Sequence, residues 1–385
     1  MISCGEASGD IYAGALVASL RELDPAIEVF GFGGERLHAA GATLLGDYRG
    51  LTVTGLVEAA SVLPRSWKML RTLGAAARDR QPDVFIAVDF PDFNFRLLPV
   101  MHRLGIPVVY YVSPQLWAWR AGRVKTIRQY VERMLVIFPF ELELYQRARV
   151  PVEFVGHPLI DLAAPAQPRG EVLRRAGLDG GGQVVALLPG SRPNEVRHLL
   201  PTLAEAAQLV ASQVPGVRFL IARAPWLDDA LFAPVSTLQA RGVRVGCLAN
   251  AADDVLSASD VVITASGTAT VQTALHSRPM VIVYRLSPLT YAIGRRFVRV
   301  TRYGMVNLVA GRAVVPELIQ DAATPANIAG EAVSLLTDRT RAEAMRRDLA
   351  EVRAALGGPG ASRRAAEAVL RVVANRARLP ILGGP

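Results

Sequence analysis

The sequence predicts an α/β protein with two doubly wound, parallel-sheet domains. The chain has 385 residues, of which 51% are hydrophobic, and this is too much apolar material for one ordinary core. Short, continuous apolar runs alternate with amphipathic segments, as in parallel strands covered by helices on both faces. A stretch rich in Ala, Pro and Gly, residues 161–182, separates two such series. Together these observations favour two domains over one.

The strand prediction depends on the apolar runs. They are IEVFGF from residue 27, DVFIAV from 83, PVVYYV from 107, RMLVIF from 133, VVALLP from 184, VRFLIA from 217, DVVITA from 260 and PMVIVY from 279. The last strand signal precedes about residue 316, and the sequence beyond it is predicted to be helical. A parallel strand before the turn at Gly5 would need residues ahead of Met1, so the first strand is short or the start codon is placed late.

The composition shift near residue 161 sets the domain boundaries. We place an N-terminal domain at 1–165, a C-terminal domain at 166–355, and a C-terminal helix and tail at 356–385. Whether that tail packs back on the N-terminal domain is left open.

Composition excludes several classes of protein. Cys4 and Cys247 are too far apart in sequence to indicate a disulfide framework, and the histidines are scattered, so no metal site is predicted. There is no run of about 18 apolar residues and no signal-peptide pattern, which argues against membrane-spanning and secreted proteins. We therefore expect a cytoplasmic protein.

The chain is basic, with a formal net charge of +9. This sign fits nucleic acid, a membrane surface or phosphorylated substrates. The distribution narrows the choice, because residues 93–131 and 261–316 contain arginines but no acid. Two such windows suit a cleft that receives an anion from both sides, or simply two solvated faces. No nucleic-acid-binding module is recognised, so no nucleic-acid partner is expected.

Two carboxylates and an amide follow a predicted buried strand in DVFIAVDFPDFN: Asp89, Asp92 and Asn94. In open α/β sheets, ligands bind beyond the carboxyl ends of the strands. Asp89 is therefore expected to point into a cleft. Asp92 has a second interpretation, because its place before FNFRLL suits the cap of the next helix.

Two strand–turn–helix patterns predict anion binding. LLPGSRPNEV places Arg192 at a Gly-Ser turn before a helix, and ITASGTATVQTAL places Ser266, Gly267 and Thr268 in the same position. Free backbone N–H groups and the helix dipole attract phosphate at such turns. Neither pattern is G-x-G-x-x-G or Walker A, so dinucleotide and ATP binding lack support. Ordinary βα turns are the alternative.

Three further segments have open interpretations. GEASGD, from Gly5, is a glycine-rich turn that lets a ligand approach Glu6 and Ser8. SPQLWAWR places Trp117 and Trp119 beside an arginine, where they suit a sugar or acyl site or packing under a loop. Residues 51–80 form a basic amphipathic stretch, which suits a membrane interface or a helix on a sheet.

The motifs follow one another in the order of one enzyme family. They are GEASGD, PDVFIAVDFPDFN, YVSPQLWAWR, VGHPL, LLPGSRPNEV, ASGTAT and NLVAGR. In these motifs, along essentially its whole length, the chain resembles the lipid-A-disaccharide synthases, membrane-associated glycosyltransferases with the two-domain GT-B fold. The resemblance implies transfer of 2,3-diacylglucosamine from UDP to the 6-hydroxyl of 2,3-diacylglucosamine 1-phosphate, with inversion, to give a β-1,6 disaccharide. No cofactor is implied, and because no D-x-D sequence occurs, no metal is predicted.

The resemblance also assigns residues. Asp89 falls on the family's proposed catalytic aspartate, which takes the acceptor proton, and Asp92 is the other candidate base. Arg192 matches an arginine needed for activity, and Asn307 matches an essential asparagine near the nucleotide. The expected UDP-sugar contacts are Ser191, Arg192, Ser266, Gly267, Thr268, Gln272 and Asn307. The expected acceptor or N-terminal-motif residues are Glu6, Ser8, Asp10, Asp92 and Asn94.

The implied partners follow from the acylated substrates. The N-terminal domain is expected to face the acceptor and the membrane, and the C-terminal domain to bind the UDP-sugar. The basic amphipathic stretch 51–80 would then contact the cytoplasmic face of the inner membrane peripherally. Whether the chain forms a homo-oligomer is left open.

One residue departs from the family pattern, which usually has a glutamate at the position of Gln272, where GT-B enzymes often hold the ribose hydroxyls. An amide also bonds a hydroxyl, so weaker nucleotide binding is expected and not its loss.

Alternatives are an undecaprenyl-linked N-acetylglucosaminyl transferase or a UDP-sugar 2-epimerase, against which SPQLWAWR and DFPDFN argue. A non-catalytic lipid-binding or scaffold protein is the other alternative, against which Asp89, Arg192 and Asn307 argue.

Overall fold

The computed structural model describes residues 1–49, 56–116, 121–285 and 302–377. They form two compact units. The first comprises Met1–Pro158 and the C-terminal segment that begins at Leu356, and the second is Leu159–Ala355. Each unit is built on one sheet in which the paired strands are parallel.

The first unit follows the alternating pattern of the sequence. Its strands are β1 (Ile2–Cys4), β2 (Phe30–Gly33), β3 (Thr43–Asp47), β4 (Phe85–Val88), β5 (Val108–Tyr111), β6 (Arg133–Val136) and β7 (Val152–Phe154). Its first helices are α1 (Ala7–Leu23), α2 (Glu35–Ala39), α3 (Leu56–Arg80), α4 (Pro91–Arg103), α5 (Val124–Tyr130) and α6 (Phe140–Arg147). The strand order is β3-β2-β1-β4-β5-β6-β7. The chain moves outward in opposite directions from β1 and β4, which creates a topological switch point at their carboxyl ends.

The second unit repeats this arrangement. Its strands are β8 (Val184–Leu188), β9 (Arg218–Arg223), β10 (Val245–Ala249), β11 (Val261–Ala265), β12 (Met280–Tyr284) and β13 (Glu317–Ile319). Its helices are α7 (Leu159–Leu162), α8 (Arg169–Arg175), α9 (Pro193–Gln213), α10 (Ala233–Ala240), α11 (Ala252–Ala258), α12 (Thr268–Leu275), α13 (Met305–Ala310), α14 (Pro325–Thr337) and α15 (Arg339–Ala355). The order β10-β9-β8-β11-β12-β13 places the switch point between β8 and β11.

The central strands form the cores, because their side chains are apolar on both faces of the sheet. Phe85, Tyr110 and Met134 in the first sheet and Leu187 and Ile263 in the second are wholly buried. Each such side chain contributes about 1.5–3 kcal/mol on leaving water. The cores therefore hold the strand ends, and the turns that follow them, in fixed positions.

The first unit ends at Pro158, ahead of the expected boundary at 165. The reason is that the segment after α7 packs in the second unit. The backbone N–H groups of Ala166 and Gln167 donate to Asp254 Oδ1 in α11 at 2.7 and 3.0 Å. A buried carboxylate thus fixes the segment that the sequence marks as a linker.

The C-terminal segment belongs to the first unit. Its described part contains α16 (Ala361–Ala377), which packs on α1. The N–H of His157 donates to the carbonyl of Leu356 at 2.9 Å, and Arg364 Nε donates to the carbonyl of Val155 at 2.8 Å. Leu356 and α16 are thereby tied to the segment that follows β7 at the edge of the first sheet.

Every predicted apolar run contains a strand, and the predicted α/β class is confirmed. The expectation that everything beyond about residue 316 is helical is wrong, because β13 pairs with β12 there. This edge strand has three half-buried residues, so it lacks the continuous apolar run by which central strands are recognised.

Candidate active site

Asp89 lies at the switch point of the first unit. It follows β4 directly, and its side chain is half-buried. Asp89 and Phe90 have φ values of 44° and 49°. Left-handed backbone is uncommon for residues other than glycine, is strained for a bulky residue such as Phe90, and is concentrated at functional sites. The expected strand-end position of Asp89 is observed, and its catalytic role stays a prediction.

Two buried side chains hold the strained turn. Asn94 Nδ2 and the Tyr110 hydroxyl each donate to the carbonyl of Asp89 at 2.8 Å. Asn94 Oδ1 in turn accepts a hydrogen bond from Ser3 Oγ at 2.8 Å. Because Asn94 is wholly buried among protein atoms, it positions the turn, and its expected contribution to the acceptor site stays a prediction.

Asp92 lies in the first turn of α4 but does not cap it. The N-cap residue is Phe90, which makes no side-chain cap bond. The exposed carboxylate of Asp92 accepts a hydrogen bond from Arg123 Nη2 at 2.6 Å. Its interpretation as a helix cap is therefore wrong. Asp92 forms a surface ion pair, whereas Asp89 lies at the switch point itself.

The glycine-rich turn after β1 packs tightly against the Asp89 turn. A Cβ added to Gly5 would lie 2.1 Å from the Phe90 ring, so only glycine allows this approach. Glu6 is the N-cap residue of α1, and both Glu6 and Ser8 are half-buried. The backbone that leads into α1 therefore lies next to the turn that carries Asp89.

Asp10 has a structural role. Its Oδ1 accepts from the N–H groups of Gly34 and Leu37 at 2.8 and 3.1 Å, and its Oδ2 accepts from Arg36 at 2.9 Å. A carboxylate satisfies the unpaired amides at a helix start. Buried Asp10 thus fixes the beginning of α2, which gives this residue of the N-terminal motif a structural role.

Glu141 is a buried acid beside the same sheet edge, at the start of α6. Its Oε2 accepts from the N–H of Phe138 at 3.3 Å, and Ser113, which bonds it, lies 2.8 Å from the Tyr145 hydroxyl. Burial raises the pKa of Glu141 to about 8, and the charge of Asp89 adds to the rise. Glu141 was not recognised from the sequence, although it lies only three residues beyond the RMLVIF run.

Arg192 is the N-cap residue of α9, at the end of β8. Glu195 closes this turn. Its Oε2 accepts from the N–H groups of Ser191 and Arg192 at 3.1 and 3.3 Å, and its Oε1 accepts from Arg192 Nη1 at 3.0 Å. This is a capping-box arrangement. The expectation of free amides is therefore wrong for this turn, because an acid of the same helix occupies them.

Trp226 lies beside the same turn and was not singled out from the sequence. Its indole N–H donates to the carbonyl of Ser191 at 3.0 Å, while 55% of the residue is exposed. The bond fixes the ring with an apolar surface at the edge of the turn. A single tryptophan after a strand shows no pattern that would reveal this.

The turn after β11 is open. Gly267, the N-cap residue of α12, has a φ of 144°, and a Cβ there would meet nothing within 4 Å. Thr268 is exposed, Ser266 is half-buried, and the first turn of α12 carries no acid. The amides and hydroxyls expected to meet a diphosphate are thus gathered at one accessible turn.

Gln272 lies one helical turn further along α12. Its Nε2 donates to Asp253 Oδ1 at 2.8 Å, and His276 Nε2 lies 2.7 Å from the same oxygen. Asp253 comes from α11, so one carboxylate links the two helices. Neither Asp253 nor His276 was recognised from the sequence.

Asn307 is buried, and its amide is saturated by protein groups. Its Nδ2 donates to the Val315 carbonyl at 2.9 Å and to Glu317 Oε1 at 2.7 Å. Its Oδ1 accepts from the N–H groups of Val314 and Val315 at 2.7 and 3.0 Å. These bonds use all its hydrogen-bonding positions. Asn307 thus positions the surrounding segment, and its expected place near the nucleotide stays a prediction.

Some expectations fall outside the described residues, namely those on Trp117 and Trp119. In the second basic window, Arg312 is paired with Asp348 and Glu351 at 2.8 and 2.9 Å, so it belongs to a solvated ion-pair face.

Within the described ranges, no group of three His, Cys, Asp or Glu side chains could hold a metal ion.

Comparison with known proteins identifies the family. The family model described as Lipid-A-disaccharide synthetase matches residues 1–372. The chain belongs to the lipid-A-disaccharide synthase family. A lipid-A-disaccharide synthase of Geobacter metallireducens is 44% identical over 376 residues, covering 98% of this chain and 97% of that protein. The expected glycosyltransferase of lipid A biosynthesis is thereby confirmed.

Solved structures of more distant proteins share the synthase fold. The UDP-GlcNAc 2-epimerase of Neisseria meningitidis, bound to UDP-GlcNAc, matches with a TM-score of 0.69 at 13% identity, covering 96% of this chain and 99% of that one. The glycosyltransferase of kitacinnamycin matches with a TM-score of 0.61 at 18% identity, covering 97% and 98%. At such identity the likeness concerns the fold alone, and it confirms the expected GT-B fold.

The two halves of α3 differ in exposure. Leu73 and Ala77 in its second half are wholly buried. Leu63 and Trp67 in its first half are 44% and 53% exposed, and the Arg96 guanidinium lies 5.3 Å from the Trp67 ring centre. The exposed basic side chains beside them are Arg65, Lys68 and Arg71. No helix in the described part of the chain has the length and hydrophobicity needed to cross a membrane.

Proposed function

We propose that the chain is an inverting glycosyltransferase that condenses UDP-2,3-diacylglucosamine with 2,3-diacylglucosamine 1-phosphate. The products are UDP and the β-1,6-linked lipid A disaccharide 1-phosphate. The observation that carries the proposal is the family match over residues 1–372. The substrates and the stereochemistry extend that match and agree with the chemistry of the two switch points.

Asp89 is the proposed general base. It removes the proton from the 6-hydroxyl of the acceptor as that oxygen attacks the anomeric carbon of the donor. The bond from the anomeric carbon to the diphosphate breaks, and its electron pair leaves with UDP. A single displacement converts the α-linked donor into a β product. The fixed turn around Asp89, bonded by Asn94 and Tyr110, supports this role, because a base must be held within hydrogen-bond reach.

The leaving diphosphate is proposed to meet the second unit. Its negative charge would be stabilised by the open turn at Ser266, Gly267 and Thr268 and by the Arg192 guanidinium. Asn307 supports the site indirectly, by fixing the segment from Val314 to Glu317. With these groups the reaction requires no bound cofactor.

The protein is proposed to act at the cytoplasmic face of the inner membrane, where acylated substrates are found. Exposed Leu63 and Trp67, next to exposed basic side chains, suit the headgroup region of an anionic bilayer. Co-sedimentation with phosphatidylglycerol-containing vesicles tests this. Replacing both residues by serine should reduce binding severalfold, whereas Leu209→Ser, at an exposed leucine of α9, should not.

The reaction itself is tested with the purified chain and both substrates in detergent, with EDTA present. The expected result is UDP release together with a disaccharide detected by mass spectrometry, whose linkage is β by proton NMR coupling. Folded protein that yields no disaccharide would overturn the proposal. Product that disappears in EDTA and returns with a divalent cation would overturn the proposed metal independence.

A further inference from the structure

Asp253, Gln272 and His276 form a hydrogen-bonded cluster beside the donor-site helix. Asp253 Oδ1 accepts from Gln272 Nε2 at 2.8 Å and lies 2.7 Å from His276 Nε2. The side chains of Asp253 and His276 are 25% and 9% exposed, and Gln272 is half-buried. The cluster is therefore part of the packed structure between α11 and α12, with one side accessible.

The chemistry of the cluster fixes how the Gln272 amide is turned. An ionised carboxylate only accepts hydrogen bonds, so Gln272 must present its NH₂ group to Asp253. The carbonyl oxygen of a planar amide then points away from Asp253. Among the described residues, no group donates a hydrogen bond to this Oε1. Asp253 thus makes the outward-facing atom of Gln272 an acceptor.

The position of Gln272 on α12 indicates what the acceptor faces. It lies four residues after Thr268, which is about 6 Å along a helix axis, and on the same face as the open turn. In a nucleoside diphosphate the ribose follows the phosphates by a comparable distance. If the diphosphate occupies the open turn, as proposed above, the ribose reaches Gln272.

We propose that Asp253 is a positioning residue that locks the Gln272 amide with its oxygen toward the ribose hydroxyls of the bound UDP-sugar. The amide then accepts these hydroxyls as a carboxylate would. The inference rests on the proposed UDP-sugar donor, and it explains how a chain with glutamine at this position keeps an acceptor there.

The proposal predicts that glutamate is unfavourable at position 272 of this chain. Glutamate in place of Gln272 would put a carboxylate within hydrogen-bond distance of Asp253, and two carboxylates at that spacing cannot both ionise freely. Glutamate should therefore weaken nucleotide binding in this chain. Replacing Asp253 by asparagine as well supplies an amide that donates to the introduced carboxylate, so the double variant should recover.

The test compares the full-length chain with Gln272→Glu, Asp253→Asn and the double variant. Affinities for UDP and 2′-deoxy-UDP are measured by isothermal titration calorimetry. The wild type should prefer UDP about tenfold, the value of one well-formed hydrogen bond. Gln272→Glu should bind UDP about tenfold more weakly. Asp253→Asn can present either its oxygen or its NH₂ group to Gln272, so it no longer locks the amide and should lose part of the preference for UDP. The double variant should return to within about threefold of the wild type.

Gln208→Glu is the matched control, because it makes the same chemical change on α9, where Gln208 Oε1 accepts from Arg241. It should leave both affinities unchanged. A purely structural role for Asp253 would lower the melting temperature of Asp253→Asn without altering its preference for UDP, and this result would overturn the inference. Tight UDP binding by the Gln272→Glu single variant would do the same.

The proposed function and this inference fail in different ways. Wild-type protein that neither binds UDP nor forms disaccharide would overturn both. Wild-type protein that binds UDP and forms disaccharide, while the three variants match it in both affinities, would overturn the inference alone.

Discussion

The two switch points of the molecule share a strand topology and differ in chemistry. Between β1 and β4, Asp89 lies on left-handed backbone with the buried acid Glu141 nearby. Between β8 and β11, Gly267 opens a turn without acids, and Arg192 caps the neighbouring helix. The first point has the Asp89 carboxylate near an acid that burial keeps protonated at neutral pH, and the second exposes groups that attract an anion. The sheet supplies the location, and the residues after each strand decide what is bound or deprotonated there.

The largest effect is expected from removing the charge at the first switch point. Asp89→Asn should lower kcat by about 10²- to 10⁴-fold, because the acceptor proton has no base, and should leave UDP affinity nearly unchanged. Asparagine tolerates left-handed backbone, so the turn should persist. Initial rates and calorimetry measure both quantities.

Asp92→Asn is the control for this comparison, since Asp92 forms the exposed ion pair with Arg123. It should lose less than about tenfold in kcat. A collapse in Asp92→Asn with normal turnover in Asp89→Asn would assign the base to Asp92.

Glu141, the buried acid that follows β6, should also affect the pH dependence of stability. Burial raises the pKa of Glu141 from 4.5 to about 8. Between these values the unfolded chain has lost a proton that the folded chain keeps, so the contribution to stability is full below about pH 4.5 and is lost as pH rises through 8. In Glu141→Gln, the free energy of unfolding should therefore decline less steeply with pH, by about 1.4 kcal/mol per unit.

Urea unfolding at several values between about pH 5 and pH 8 measures this slope. His157, whose pKa burial lowers to about 3, acts in the opposite direction below pH 6.5, but it is common to both proteins and cancels in the difference. Glu143→Gln, on the exposed side of α6, should keep the wild-type slope. Equal slopes in the wild type and Glu141→Gln would show that Glu141 titrates normally.

At the second switch point, Gly267→Ala should strain the backbone and weaken UDP binding. A φ of 144° is strained for alanine and costs about 1–3 kcal/mol, and the new methyl group occupies the space that a diphosphate would approach. UDP affinity should fall by about tenfold or more. Gly330→Ala, which adds a methyl group in open space on α14, should bind UDP normally. Unchanged affinity in Gly267→Ala would place the diphosphate elsewhere.

The sequence predicted the sheets better than the roles of polar residues. Continuous apolar runs identify central strands, and Asp89 was found because it follows one directly. Asp10 and Asn94 were expected to serve the acceptor or the N-terminal motif, and Asn307 to lie near the nucleotide. Each of the three bonds protein groups, and one partner of Asn94, Ser3, lies 91 residues away. A motif shows that a polar residue is needed, but not whether it bonds a ligand or a distant part of the chain.

Other features were missed for local reasons. The link from Asp253 to Gln272 joins different helices, so no spacing in the sequence reveals it. The capture of the Arg192 turn by Glu195 was accessible, because proline at the first helical position and glutamate three residues after the cap predict a capping box.

The smallest effect is expected from Glu195, whose carboxylate already occupies the turn after β8 at the second switch point. Glu195 Oε2 occupies the amides of Ser191 and Arg192, so a diphosphate at this turn competes with a carboxylate. Glu195→Gln keeps a side chain able to complete the cap and removes the charge. UDP and pyrophosphate should therefore bind about two- to fivefold more tightly, the value of one partly exposed charge interaction. Glu205→Gln, on the exposed side of the same helix, is the matched control. Weaker binding in Glu195→Gln alone would mean that Glu195 serves the ligand by orienting Arg192, and the turn would then resemble the first switch point in using its acid directly.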